Sequence, residues 1–172
     1  GRNAGWLACY GGIAGGADFI LVPEKPINLN AVVSSIKQRH ARGRDFSIVV
    51  VAEGAKFDNE EANPERQVDA FGHVKLGGIG EVLAKHIEKE TGFETRSTTL
   101  GHIQRGGSPT AFDRVLATRY GVLAADLVHQ KKFGTMVALH GNSLVDVPIE
   151  DAVNSLKTLD MDIYKVAEVF FG

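Results

Sequence analysis

Between residues 101 and 108 the chain runs Gly101-His102-Ile103-Gln104-Arg105-Gly106-Gly107-Ser108. Two side chains in it suit an anion. Arg105 offers a planar fork of N–H donors that matches a phosphate, and His102 adds a second donor beside it. The stretch lies between a strand-like run over residues 93–100 and a helical run that begins at Pro109. A strand that ends in a glycine-rich turn and feeds a helix places backbone N–H groups and a positive helix end at the carboxyl edge of a sheet. Ser108 is expected as the N-cap and Pro109 as the first helical residue, which turns the helix's orphan donors back toward His102 and Arg105. The chemistry implied is capture of a phosphorylated substrate. The plainer alternative is a strand-to-helix turn with a solvated Arg105.

Other candidates stand at the ends of predicted elements. Residues 47–52 form the strongest strand of the chain and deliver Glu53, a carboxylate able to accept from sugar hydroxyls, with Gly54 in the turn behind it. Taken alone, Glu53 is equally a solvated strand-end charge. Arg2 heads a helical run over residues 1–16, in which Trp6, Leu7, Tyr10 and Ile13 are expected along one face, with Gly15-Gly16 as the stop. Residues 19–22, an apolar run between Asp18 and Pro23, suit a central parallel strand. Pro23 and Pro26 mark a loop, after which Asn28 caps a helix with Leu29, Val32, Val33 and Ile36 as its apolar stripe. That helix ends in the basic run 39–44, which suits a helix C-terminus in its own right.

The rest of the chain supplies scaffolding. Residues 56–75 are polar and form an excursion from the core. Gly77-Gly78-Ile79-Gly80 opens a helix over residues 81–90 with Val82, Leu83 and Ile87 inward; without a preceding strand it is poor evidence for a phosphate loop. The helix after the 101–108 stretch runs to about His129, with Phe112, Val115, Leu116, Leu123 and Leu127 expected inward. Strands over 135–139 and 144–147 and short helices over 149–156 and 161–171 complete the chain. Strands alternating with helices predict an α/β fold, a Rossmann-like three-layer lobe of four or five strands in a mostly parallel sheet.

Composition narrows the function class. At 172 residues the chain is expected to form one domain, and its 20 glycines suit a turn-rich α/β protein. A formal charge of −2 offers no broad basic field, so neither nucleic acid nor an anionic membrane is an expected partner. The single Cys9 rules out an internal disulfide and fits a small packing residue in a reducing compartment. With no apolar run of membrane length and no leader, a cytoplasmic location is expected. The start at Gly1, inside a motif, suggests a piece of a longer chain.

The stretch from Gly101 to Pro109, followed by Asp113-Arg114 and Ala117, resembles the fructose 6-phosphate signature of the phosphofructokinase family. Gly1-Arg2 with Ala4-Gly5, and Glu53-Gly54, resemble two further family motifs in the same order. The resemblance implies phosphoryl transfer from Mg-ATP, or in some members pyrophosphate, to the 1-hydroxyl of fructose 6-phosphate. It implies that residues 1–172 are the carboxyl-terminal, sugar-binding lobe, inactive alone, of a glycolytic, allosteric, cytoplasmic homodimer or homotetramer. By matching position, His102 and Arg105 would bind the 6-phosphate, with Ile103 and Gln104 between them also substrate-binding, Glu53 the sugar hydroxyls, and Gly1 and Arg2 the reacting end. Arg2 would stabilise charge on the transferring phosphoryl group. Arg96 would reach the 6-phosphate of a neighbouring subunit, so that identical subunits share the substrate site.

The family's nucleotide glycines, magnesium-binding aspartate and aspartate base belong to the amino-terminal lobe, so ATP or pyrophosphate and magnesium would be held mainly there and no metal ligand is expected in this stretch. In bacterial members the positions of Gly16, Ala17, Asp18, Arg42 and Arg44 bind a phosphorylated effector; this chain departs by carrying Asp18 where glutamate is usual and arginines where lysines are familiar. The 56–75 excursion is longer than in compact bacterial members and resembles both ATP-using and pyrophosphate-using types. A non-catalytic sugar-phosphate-binding lobe is the rival from a different class, opposed by the intact set Arg2, Glu53, Arg96, His102 and Arg105. A dinucleotide-binding module is disfavoured because no G-x-G-x-x-G follows the first strand.

Overall fold

The computed structural model describes residues 1–59, 61, 63, 67–68, 74–75 and 78–172. Parts of the predicted 56–75 excursion, and Gly77, therefore lie outside the described residues. Helices and strands are mixed along the chain, as the α/β expectation requires. The chain divides into two compact units, Gly1–Thr99 with Lys157–Gly172, and Leu100–Leu156.

In the first unit β1 (Phe19–Leu21) and β2 (Val49–Val51) pair in parallel, with Phe19 opposite Val49 and Leu21 opposite Val51. All three β1 residues are buried, which explains an unbroken apolar run rather than an alternating one. One cluster gathers Leu21, Ile27, Val32 and Ile36 with Ile79, Leu83 and Ile87, joining β1, α2 (Leu29–Ala41) and α3 (Ile79–Thr91). Burying each such side chain stabilises the fold by about 1.5–3 kcal/mol. Asn28 caps α2 as predicted, its Oδ1 accepting from the Ala31 N–H at 2.9 Å. α3 starts two residues before the expected boundary, because Gly78 enters it at φ 79° and supplies the left-handed residue there. A short antiparallel pair, β3 (Gln67–Val68) with β4 (Val74–Lys75), falls within the excursion.

The face of α1 (Trp6–Ala14) differs from expectation. Its buried residues are Ala8, Cys9 and Gly12, while Leu7, Tyr10 and Ile13 are about half exposed. Close approach to β1 is the cause: a Cβ on Gly12 would stand 2.6 Å from Ile20 Cδ1, so the helix seats itself through its smallest side chains. Cys9 is fully buried, and burial, aided by the nearby Glu24 charge, pushes its thiol pKa up. The chain returns at the end of the unit, where α6 (Met161–Glu168) places the buried Tyr164 hydroxyl 2.8 Å from the Ile20 carbonyl, to which it donates.

A second difference concerns residues 93–100, which form no ladder with any described strand. A groove of about 570 Å³ lined by Phe46, Val49, Phe93 and Arg96 runs between this segment and the β2 side of the unit. Local bonds take up its polar groups: the Phe93 N–H donates to Thr91 Oγ1 at 3.1 Å, and Thr95 Oγ1 donates to the Phe93 carbonyl at 3.0 Å. Threonine bonds of this kind compete with a ladder for the same backbone groups.

The second unit holds a 3₁₀ turn (Gly101–Arg105), α4 (Ala111–His129), a hairpin of β5 (Thr135–His140) and β6 (Ser143–Pro148), and α5 (Ile149–Val153). The hairpin is antiparallel in full register from Thr135 opposite Pro148 to His140 opposite Ser143, with Gly141 at φ 59° in its turn. On α4 the residues withdrawn from solvent are Leu116, Tyr120, Leu123 and Leu127. Phe112 and Val115, expected inward, are 68% and 60% exposed: Val115 falls off that stripe, whereas Phe112 lies on it in the first turn of α4 without being covered within this unit.

Candidate functional site

The predicted ligand residues divide between the two units. In the first, the parallel register ends β1 and β2 on the same edge, so the chain leaves β1 toward Glu24 and β2 toward Glu53. Ala52 is buried and its N–H donates to the Leu21 carbonyl at 2.8 Å, which fixes the point where the exposed Glu53 emerges. Gly54 then meets the start of the chain. Its N–H donates to the Gly1 carbonyl at 3.1 Å, and a Cβ at position 54 would lie only 1.7 Å from the Arg2 carbonyl oxygen. Only glycine allows this approach. Gly1, Arg2 and Glu53 are thereby brought together at one sheet edge, where an arginine and a carboxylate could hold the two ends of a polar, phosphorylated ligand.

Arg96 also belongs to this unit. Its guanidinium lies on Glu94 Oε1, with Nη2 at 2.7 Å and Nε at 2.9 Å, and both side chains are largely exposed. An exposed pair of this kind is worth at most about 1 kcal/mol, so a phosphate can take the arginine from it.

In the second unit His102 and Arg105 stand on the 3₁₀ turn, three residues apart. Side chains at that spacing eclipse in a 3₁₀ helix, so the imidazole and the guanidinium occupy one face. Ile103, Gln104 and both basic residues are exposed. Gly101 at φ 55° and Gly107 at φ 107° set the bends on either side. The helix behind the turn begins later than predicted: neither Ser108 nor Pro109 starts it. Thr110 is the N-cap, with its hydroxyl accepting from the Asp113 N–H at 3.3 Å while Asp113 Oδ2 accepts from the Thr110 N–H at 2.7 Å. The signal was present in the sequence as Thr-x-x-Asp, a capping box. The bond from the Thr110 backbone, and then that from its side chain, holds the Asp113 carboxyl below its ordinary pKa.

The effector candidates of the first unit are partly committed elsewhere. Asp18 pairs with Arg39 at 2.7 Å and accepts from the Ile48 N–H at 2.8 Å, which ties α2 to the start of the β1–β2 ladder. Gly16, at φ 66°, lies in the turn before it, and Ala17 links that turn to Asp18. Arg42 and Arg44 line, with Arg39, a separate basic concavity of about 320 Å³. Among the described residues no group of three or more His, Cys, Asp or Glu side chains could hold a metal ion. None of the described helices is long and apolar enough to cross a membrane.

One engaged carboxylate escaped the sequence reading. Glu24 Oε1 accepts from the N–H groups of Gly5 at 3.0 Å and Leu159 at 2.8 Å, and Oε2 accepts from Gly5 at 3.1 Å. The only sequence signal was an acid following a central strand.

Comparison with known proteins places these motifs in context. A pyrophosphate–fructose 6-phosphate 1-phosphotransferase of Streptomyces coelicolor is 51% identical over 100% of this chain and 50% of its own length. An ATP-dependent 6-phosphofructokinase of Corynebacterium efficiens is 44% identical with the same coverage of each chain. This chain thus spans about half the length of those relatives. The crystal structure of a pyrophosphate-dependent phosphofructokinase from Marinobacter aquaeolei superposes with a TM-score of 0.74 at 22% identity, covering 94% of this chain and 40% of that one, a likeness of fold. The family model described as Phosphofructokinase matches residues 1–128, well over half of the sequence, and the chain belongs to the phosphofructokinase family.

Proposed function

We propose that this chain is the fructose 6-phosphate-binding, carboxyl-terminal half of a phosphofructokinase, and that the whole protein transfers a phosphoryl group to the sugar's 1-hydroxyl. The observation that carries the reading is the placement of His102 and Arg105 on one face of a glycine-bounded 3₁₀ turn, a ready grip for the remote 6-phosphate. Glu53 accepts hydrogen bonds from the sugar hydroxyls. Arg2 meets the negative charge that spreads over the transferring group. Arg96 leaves its Glu94 partner to complete a neighbouring subunit's site, so that the enzyme assembles as a homodimer or homotetramer, and a cytoplasmic location fits the family.

For the donor, magnesium with either ATP or pyrophosphate fits the family, and its ligands and the catalytic base belong to the other half of the enzyme. Pyrophosphate is the reading that the relatives favour, because the relative at 51% identity carries that name and the one at 44% carries the ATP-dependent name. Comparing turnover of the full-length enzyme with each donor separates the two. The basic concavity of Arg39, Arg42 and Arg44 suits a phosphorylated effector.

The test of the sugar site is Arg105→Ala in the full-length enzyme. Losing a charge-assisted bond to phosphate costs about 1.5–3 kcal/mol, or roughly 10- to 150-fold in fructose 6-phosphate affinity, with the donor KM unchanged. Arg105 is exposed, so its removal costs the fold no core packing. An unchanged KM for fructose 6-phosphate refutes the assignment.

A further inference from the structure

Residues 1–5 are held at both ends. At one end the Gly54 N–H donates to the Gly1 carbonyl at 3.1 Å, with the Arg2 carbonyl packed on the Gly54 Cα. At the other, the Gly5 N–H is shared by both oxygens of Glu24, at 3.0 and 3.1 Å. Gly5 is the N-cap of α1, so the carboxylate also meets the positive end of that helix. The fit leaves no room for change: a Cβ on Gly5 would stand 2.5 Å from Val22 Cγ1 and 2.9 Å from Glu24 Oε2. Glu24 is itself anchored by the Leu159 N–H at 2.8 Å, and α1 is braced from the same stretch by Trp6 Nε1, which donates to the Lys157 carbonyl at 2.9 Å. Arg2 sits between the two clamps.

We propose that Glu24 is a positioning residue for Arg2: by gripping the Gly5 N–H it fixes residues 1–5 against Gly54 and so sets where the Arg2 guanidinium stands. The inference rests on the reading that Arg2 acts on the transferring phosphoryl group. Glu24 touches no substrate in this scheme. Its effect passes through the backbone of five residues to the reacting end of the sugar, and it shows chiefly in turnover, whereas the grip on the remote 6-phosphate belongs to His102 and Arg105.

The experiment is a double-mutant cycle in the full-length enzyme with Arg2→Ala, Glu24→Gln and the two combined. Glutamine keeps one acceptor oxygen but turns an NH2 group toward one of the sites where Gly5 now donates. Misplacing a catalytic group by about an ångström costs roughly 100-fold, so Glu24→Gln should lower kcat by up to that factor while moving the KM for fructose 6-phosphate by less than about twofold. The double variant should be no slower than Arg2→Ala alone, because a misplaced arginine and a missing one come to the same loss. If Arg2→Ala is slow and the Glu24→Gln penalty multiplies with it in full, or if Glu24→Gln leaves kcat unchanged, the positioning role is overturned. If Arg2→Ala itself turns over normally, the reading of Arg2 fails and takes this inference with it, a result distinct from the first two. Should the glutamine variant not fold, Glu24→Asp, which keeps the charge but withdraws it from Gly5, is judged by the same outcomes.

Discussion

Gly54→Ala tests how tightly the sheet edge and the Arg2 segment are coupled. The added Cβ would stand 1.7 Å from the Arg2 carbonyl oxygen and 2.6 Å from its carbonyl carbon. To reach even 3.0 Å the Arg2 carbonyl must retreat by about 1.3 Å, and the obstacle is backbone on both sides, so no rotamer change relieves it. That retreat pulls on the 3.1 Å bond between the Gly54 N–H and the Gly1 carbonyl. Overpacking of this kind costs about 1–3 kcal/mol of stability. A displacement of this size at a group that meets the transition state costs up to roughly 100-fold in kcat, about 2.7 kcal/mol.

The assay is steady-state kinetics on full-length enzyme alongside denaturant unfolding, with Gly11→Ala as a control. A Cβ at Gly11, within α1, meets nothing within 4 Å, so that variant should keep its kinetics and gain roughly 0.5–1 kcal/mol from helix propensity. Gly54→Ala should lose kcat with the KM for fructose 6-phosphate nearly unchanged. Native kcat in Gly54→Ala, or a loss equal to the fraction of unfolded enzyme, refutes the coupling of Gly54 to Arg2.

Four further outcomes are expected. Thr110→Ala removes the α4 cap and should cost about 1 kcal/mol, with Thr110→Ser restoring most of it, as read by denaturant midpoint. Because the Asp113 pKa is lowered in the folded state, its contribution is present above the ordinary carboxylate pKa and is lost as pH falls through the folded value; acid limbs of the melting curve that are identical for wild type and Asp113→Asn refute this. Mixing full-length Arg96→Ala with His102→Ala should restore activity toward half of normal per mixed dimer if Arg96 serves the neighbouring site, whereas no recovery places both in one site. Replacing Arg42 and Arg44 together with alanine should leave effector-free turnover intact and abolish the response to a nucleoside diphosphate or phosphoenolpyruvate, and a retained response removes the effector role from that concavity.

What was legible in the sequence divides along the range of the interaction responsible. Asn28 caps α2 through a bond to Ala31, and Gly141 turns the β5–β6 hairpin within two residues, so both could be found from neighbours alone. β1 and β2 were visible because packing on both faces leaves unbroken apolar runs: β1 is buried, and Val49 and Val51 pack on one core cluster while Val50 packs on the other. The Thr110 cap was equally local but lost to Ser108-Pro109, which carries a similar helix-start signature two residues earlier. The face of α1 was misjudged because large apolar residues suggest a core, whereas this helix is pressed so near to Ile20 that Ala8, Cys9 and Gly12 had to form the contact. Residues 93–100 have the composition of a strand, but a strand exists only with a partner, and none is supplied by composition.

The two carboxylates at the sheet edge explain the remaining miss. Glu24 and Glu53 both follow parallel strands that end side by side, so the sequence offers the same signal for each. Their surroundings separate them. Glu53 is exposed, while Glu24 is partly buried and holds N–H groups 19 and 135 residues away. A carboxylate already taking two backbone donors has little left for a ligand and much to hold in place, whereas an exposed one at the same edge keeps its lone pairs for a sugar hydroxyl. Position along the strand predicts where an acid emerges; only the partners brought by the tertiary fold decide whether it binds or braces.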